Sequence, residues 1–322
     1  MHATSPLHPD RLPRLVGAGY CAIAAIAFSG KAVIIKLAYR YGVDALTLLA
    51  LRMIFSAPMF LALAWWSGRR AGTQPLSSAD RRAIVVLGLV GYYLSSYFDF
   101  LGLQYITAAL ERLVLFLYPT FVLLLSAILF KRRIRAVDVF AVAVSYLGIA
   151  VVFANDLRTQ PGEVVRGSLW VGLSALLYAC YLLGSSRILA RVGSMRFACY
   201  AGLVSCVGVV AHFFVASDWR VLTAQPAPVF GYGILMAVVS TVLPIVLTSE
   251  GIRRIGASHA SIIGAVGPVA TIFLGYAFLG EPITAIQLLG AALVLAGVLT
   301  VSLHGRGDTK RQGAPEPVGG RV

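Results

Sequence analysis

Long apolar blocks alternate with short polar breaks along the chain, and this pattern predicts ten membrane-spanning helices. Each block holds about 20 residues, the length that crosses the hydrocarbon core of a bilayer as an α-helix. The polar ends, 1–14 and 304–322, carry too little apolar surface to fold, and we expect both to be disordered. The ten blocks lie near 15–37, 45–66, 83–103, 106–130, 136–154, 167–186, 197–216, 229–250, 257–279 and 285–303.

The composition supports a polytopic, all-α membrane protein. Hydrophobic residues make up 59% of the chain and charged residues 12%, whereas a soluble domain has about 45–50% and about 25%. This excludes soluble enzymes, secreted disulfide scaffolds and nucleic-acid binders. The cysteines form no CxxC pair and lie inside apolar blocks, so we expect small buried side chains and no metal site or cofactor. They are Cys21, Cys180, Cys199 and Cys206.

The basic residues predict the orientation in the membrane. Of the 27 Lys and Arg residues, 19 lie in the two ends and in every second gap, whereas 4 lie in the alternate gaps. Cytoplasmic loops carry such an excess of positive charge. We therefore expect cytoplasmic termini and a periplasmic linker at 155–166, and we assign the net charge of +14 to topology.

An internal repeat divides the chain into two halves, 15–154 and 167–303. A shift of 149 residues places Pro119 on Pro268 and Gly148 on Gly297, and it places span 4 on span 9 and span 5 on span 10. Because each half has five spans, the second half must have the opposite orientation in the membrane. Inverted repeats of this kind are typical of secondary transporters.

These features resemble the drug/metabolite transporter superfamily, specifically its EamA-type members. The residues that carry the resemblance are the paired prolines and glycines, the LGEPIT run at 279–284 and Arg52 in ALRMIF. One departure is that span 4 ends in LFKRR, where such proteins often repeat LGE. The resemblance implies a gradient-driven carrier in a bacterial cytoplasmic membrane, working by alternating access, with export as the expected direction.

Charged residues inside the first four spans are the first candidates for a solute or proton site. Each costs about 2.5–3.5 kcal/mol at mid-helix on insertion scales. Arg52, Asp99 and Glu111 lie at similar depth, and Arg suits a carboxylate partner. Two interpretations stay open: a structural pair of Arg52 with Glu111 or Asp99, or a water-accessible binding cavity. Lys31 and Arg112 join the candidates, whereas Lys36 is expected to reach the membrane surface.

Aromatic residues and helix breaks supply the second set of candidates. Tyr93 and Tyr97 form a stripe with Phe100, either against lipid or core or along a cavity wall. Pro119 and Pro268 interrupt two matched helices, either as packing kinks or as the moving part of a transport site. We expect the solute site near these breaks, which adds Tyr118, Gly264 and Gly267 to the candidates.

No phosphate-binding loop, zinc motif or nucleophile motif occurs in the sequence, so neither an ATP-driven pump nor a common enzyme class is expected. The predicted function is a secondary-active carrier of a small polar or amphipathic metabolite. The alternatives are a membrane-embedded enzyme or a channel that uses Arg52, Asp99 and Glu111. The expected partners are a small-molecule solute and the lipid bilayer but no nucleic acid, and a homodimer stays open.

Overall fold

The computed structural model describes residues 11–69, 75–131, 134–158 and 161–304, and within these ranges all regular structure is helical. Among these described residues, nine helices are long and apolar enough to cross a membrane, and a tenth contributes the shorter apolar stretch Ala285–Thr300. We number them α1 Arg11–Tyr39, α2 Ala45–Gly68, α3 Ser78–Leu103, α4 Ala108–Phe130, α5 Ala136–Leu157, α6 Pro161–Val192, α7 Ser194–Ala216, α8 Ala227–Ile255, α9 Ala257–Gly264 with Gly267–Leu279, and α10 Ala285–His304.

Polar residues in the loops between the helices determine where the helices begin. Asp44 caps α2 by accepting from the backbone of Leu46 and Thr47. Ser77 and Asp80 form a capping box, so α3 begins several residues before the predicted span. Side-chain oxygens at these positions satisfy amide groups that have no partner within the helix.

The two repeats share their irregularities as well as their helices. The first part of α4 ends at Leu115 and the second starts at Tyr118, while α9 is broken between Gly264 and Gly267, 149 residues later. Lys131 and Gly280, at the same spacing, end the two helices in the left-handed conformation. Helix α3 contains a π-helical turn at Gly88–Leu94, and α8 contains one at Val238–Val242.

Packing between the halves follows the same symmetry. Helix α1 packs on α8 and α9, and α6 packs on α3 and α4 in the equivalent way. Helices α5 and α10 cross closely because glycine faces backbone: a Cβ on Gly148 would lie 2.6 Å from the carbonyl oxygen of Gly290. The protein is thus built from two inverted five-helix repeats, with both broken helices beside α1.

Candidate functional site

Lys31 of α1 lies between two carboxylates in the protein interior. Its ammonium forms an ion pair with Asp99 of α3, and its Nζ lies 3.4 Å from Oε1 of Glu111 on α4. The three residues are 6%, 2% and 0% exposed, respectively. Buried charges are tolerated when they are paired, so this triad ties α1, α3 and α4 together at one depth.

Hydrogen bonds between α1 and the broken helix α9 fix the position of Lys31. The Ser29 hydroxyl donates to the carbonyl of Gly267 at 3.1 Å, and the Thr271 hydroxyl donates to the carbonyl of Ser29 at 3.3 Å. The break in α9 therefore gives α1 a polar contact only two residues from the shared lysine.

Arg112, one residue after Glu111, points to a different neighbourhood. Its guanidinium carbon lies 5.1 Å from the ring centre of Phe28 and 5.3 Å from that of Phe116. A Cβ added to Gly267 would lie 2.5 Å from Nη2 of Arg112. Arg112 thus reaches from the break in α4 to the break in α9, because glycine leaves room there.

Arg52 does not pair with Glu111 or Asp99 as one interpretation of the sequence expected. Its Nε donates to the Thr241 hydroxyl at 2.8 Å, and its guanidinium carbon lies 5.6 Å from the centre of the Phe100 ring. Thr241 in turn donates to the carbonyl of Met236 at 2.9 Å, across the π-helical turn of α8. Lys31, and not Arg52, is the partner of the two carboxylates, because α1 and not α2 brings a cation to Asp99 and Glu111.

The helix breaks lie directly beside the charged residues. Tyr118 and Pro119 open the second part of α4, and Gly267 and Pro268 open the second part of α9. The ring of Tyr118 lies 6.0 Å from Phe116 and 5.2 Å from Tyr178 of α6. Both matched prolines lie in the first turn after an interruption, and Gly264 and Gly267 lie at either end of the break in α9. Their part in a moving transport site stays a prediction.

Tyr93 and Tyr97 lie against α7 and do not join the charged residues. The Tyr93 hydroxyl is 2.9 Å from Nδ1 of His212, and the Tyr97 ring centre is 5.0 Å from the His212 ring. Phe100 is not part of this group. It is fully buried, and its ring packs against the guanidinium of Arg52. The expected stripe is therefore split between two neighbours, and His212 is a hydrogen-bonded histidine within the bundle.

Comparison with known proteins decides the family. The EamA-like transporter family model matches twice, over residues 15–154 and 165–303. The uncharacterized transporter YcbK of Bacillus subtilis is 30% identical over 85% of this chain and 88% of its own length. An uncharacterized transporter of Archaeoglobus fulgidus is 25% identical over 80% and 87%. The chain belongs to the EamA-like transporter family. It is a multi-pass integral membrane transporter.

The fold of this EamA-like transporter also occurs among solved structures. A crystal structure of a protein 20% identical in sequence superposes with a TM-score of 0.61 over 94% of this chain and 99% of that chain. This similarity supports the arrangement of the helices and carries no information on solute.

Other charges of this EamA-like protein close the ends of helices. Glu281 of the LGEPIT run accepts from the backbone amide of Ala108 at 3.1 Å, so it caps α4 across the repeats. Lys36 is half-buried and donates to the carbonyl of Ile106, in the loop before α4, at 2.8 Å. Glu250 forms a surface ion pair with Arg253 and Arg254.

The sequence interpretation missed several residues that position the site. Thr241 and Ser29 have no motif that marks them, although Ser29 is two residues from Lys31. Phe28 is missed for the same reason. Of the four cysteines, Cys180 is exposed and not buried as predicted. Within the described ranges, no group of three or more metal-ligating side chains comes together.

Proposed function

We propose that this transporter is a secondary-active carrier that moves a small polar or amphipathic organic solute by alternating access. The observation that carries the proposal is the position of Lys31, Glu111 and Arg112 beside both broken helices. Charged side chains within a membrane protein are costly, and they commonly mark solute or ion pathways. Here they also lie where two inverted repeats meet, which is where carriers bind their solutes.

The fold offers a physical route for alternating exposure of this site. Two repeats of opposite orientation can adopt two packings of similar energy, related by exchange of their conformations. Helices α4 and α9 are already interrupted, so they can bend without disrupting a complete ladder of backbone hydrogen bonds. Pro119 and Pro268 have no amide hydrogen to donate one turn back, and we propose that they mark the hinges of the transport cycle.

Location and direction form part of the same proposal. The distribution of basic residues supports cytoplasmic termini and a cytoplasmic-side loop after α4. We place the protein in the cytoplasmic membrane of a bacterium. Export rests on family resemblance, and the energy source is a proton or solute gradient.

Counterflow in proteoliposomes tests this function even while the solute is unidentified. Vesicles containing the purified protein are loaded with an unlabelled metabolite extract and placed in a matching extract labelled with ¹³C. Mass spectrometry then identifies any labelled compound that enters. A carrier exchanges one or a few compounds saturably, and internal unlabelled compound accelerates entry.

Matched glutamate variants provide the control. Glu111→Gln should abolish exchange, whereas Glu250→Gln, at the surface ion pair, should retain it. Entry that neither saturates nor accelerates would indicate a channel, and chemical conversion of a compound would indicate an enzyme. Absence of any compound that exchanges above the Glu111→Gln background would contradict the carrier proposal.

A further inference from the structure

The buried charges at the centre of the bundle do not balance. The described residues there comprise three cations, Lys31, Arg52 and Arg112, and two carboxylates, Asp99 and Glu111. Both carboxylates lie within ion-pair distance of Lys31, although neither oxygen of Glu111 has a hydrogen-bond partner among the described residues. The excess positive charge therefore lies on the guanidinium groups.

Arg112 carries this excess without a counter-charge in contact. Only 5% of the residue is exposed, and its Nε has no hydrogen-bond partner among the residues that the structure describes. Phe28 and Phe116 contact the guanidinium but accept no strong hydrogen bond from it. A buried cation without a counter-charge in contact is unfavourable. A planar guanidinium is suited to bind a carboxylate through two parallel hydrogen bonds.

Arg52 is less suited to the same role. Its Nη1 also has no hydrogen-bond partner among the described residues, but its Nε is already bonded to Thr241, which fixes the side chain to the π-helical turn of α8. Arg112 instead lies at the junction of the broken helices, in contact with Gly267. Only Arg112 combines free donors with the place where the proposed carrier must bind its solute.

We propose that the transported solute is an organic monoanion whose carboxylate binds the guanidinium of Arg112, with an apolar body against Phe28 and Phe116. This inference rests on the proposed carrier function and names the class of its solute. With Asp99 and Glu111 both ionised, the excess is one positive charge, which matches a monocarboxylate better than a phosphate ester, since the ester carries about two charges at neutral pH. The two rings provide the apolar side of the site.

Ligand-induced thermal stabilisation of the full-length protein in detergent tests this assignment at constant ionic strength. The probes are benzoate and hexanoate, their neutral amides, and phenyl phosphate. We expect at least one carboxylate to raise the melting temperature more than its amide does, and more than phenyl phosphate does. Arg112→Gln should raise the Kd of that carboxylate by about 10- to 100-fold, which corresponds to the loss of a charge-assisted hydrogen bond.

A pair of glycine variants keeps the test valid if Arg112→Gln fails to fold. Gly267→Ala displaces the guanidinium and should weaken carboxylate binding by about tenfold, converted from the energy of one such bond. Gly231→Ala in α8 is the control, since a Cβ there meets nothing within 4 Å, and its Kd should match that of the wild type.

The outcomes separate this inference from the carrier function. If no carboxylate stabilises the protein more than its amide and phenyl phosphate do, or if the two glycine variants bind equally, the assignment to Arg112 is wrong. If only neutral or cationic compounds show counterflow, the carrier function stands and the proposed anionic solute is wrong. Carboxylate binding without counterflow would retain the anion site and reject the carrier.

Discussion

Two buried carboxylates depend on Lys31 for their counter-charge. In Lys31→Met, Asp99 and Glu111 stay buried while the cation is lost, and removing one partner of a buried pair costs about 3–5 kcal/mol. We expect a loss of this size in the free energy of unfolding, measured by denaturation in mixed micelles. Lys36→Met is the control, because Lys36 is half-buried and bonds to a carbonyl.

A second substitution shows whether the loss is electrostatic. Adding Asp99→Asn to Lys31→Met removes one of the unpaired charges and should recover part of the stability. If Lys31→Met and Lys36→Met unfold alike, Lys31 does not neutralise the two carboxylates in the folded protein.

Thr241 connects Arg52 to the π-helical turn of α8. Thr241→Val removes an acceptor of Arg52 and a donor to Met236 together, and we expect a cost of about 1–3 kcal/mol in unfolding free energy. Ser240→Ala is the matched control, since the buried Ser240 hydroxyl has no partner within the described part of the chain. Equal effects of the two variants in the same denaturation assay would show that the Arg52 contact adds no stability.

The identities of the charged residues were predictable from sequence, but their partners were not. Depth along a span follows from residue counting at 1.5 Å per residue, so Asp99 and Glu111 were expected at similar depth, and both lie beside Lys31. Rotation and tilt of each helix are set by packing with its neighbours, which no spacing within one helix encodes. For that reason Lys31, and not Arg52, meets the carboxylates.

At the level of helices, the paired breaks in α4 and α9 are the feature that function should depend on. Pro119→Ala and Pro268→Ala restore an amide donor in the first turn after the break and should slow counterflow at saturating solute with little change in half-saturation concentration. Pro58→Ala is the control, because Pro58 lies on an exposed face of α2 and the matched position of α7 is Val207.

This comparison separates hinges from packing. Unchanged maximal rates in both Pro119→Ala and Pro268→Ala, with stable protein, would show that the prolines are packing kinks. A slowing equal to that of Pro58→Ala would lead to the same conclusion.

The helix breaks were predictable because proline is a local cause of interruption that the sequence shows directly. The π-helical turns were not predictable. Gly88–Leu94 and Val238–Val242 contain residues common in ordinary membrane helices. The turn in α8 carries a tertiary contact, the hydrogen bond from Arg52 to Thr241. A local sequence signal for these turns is therefore absent, and the contact that depends on one of them was missed.

For the whole molecule, the inverted arrangement makes a prediction about sidedness. Reporter fusions after Arg70, Arg133 and Arg254 should report the cytoplasm, and a fusion within 156–166 should report the opposite side. The physical reason is the excess of basic residues in the cytoplasmic gaps. An outer-side signal after Arg133 would give α4 and α9 the same orientation and would contradict the inverted repeat.

The span number was predictable from block length and loop charge, and the repeat was predictable from the matched proline and glycine positions. The shift of 149 residues found from Pro119 and Gly148 also relates the left-handed helix ends at Lys131 and Gly280. Which solute fits the site was not predictable, because the charge balance depends on contacts of Lys31 and Arg112 that appear only when the helices are assembled.

The most direct measurement of the central claim is the two-sided accessibility of position 118 at the junction of the repeats. Tyr118→Cys is placed in a chain without the native cysteines and exposed to a membrane-impermeant methanethiosulfonate, in right-side-out and in inside-out vesicles. Position 267 is unsuitable, because a side chain there would displace Arg112. Tyr146→Cys on the exposed face of α5 is the control and should react from neither side. Alternating access predicts that Tyr118→Cys reacts from both sides, whereas reaction from one side only, or from neither, would contradict a site exposed in turn to each face of the membrane.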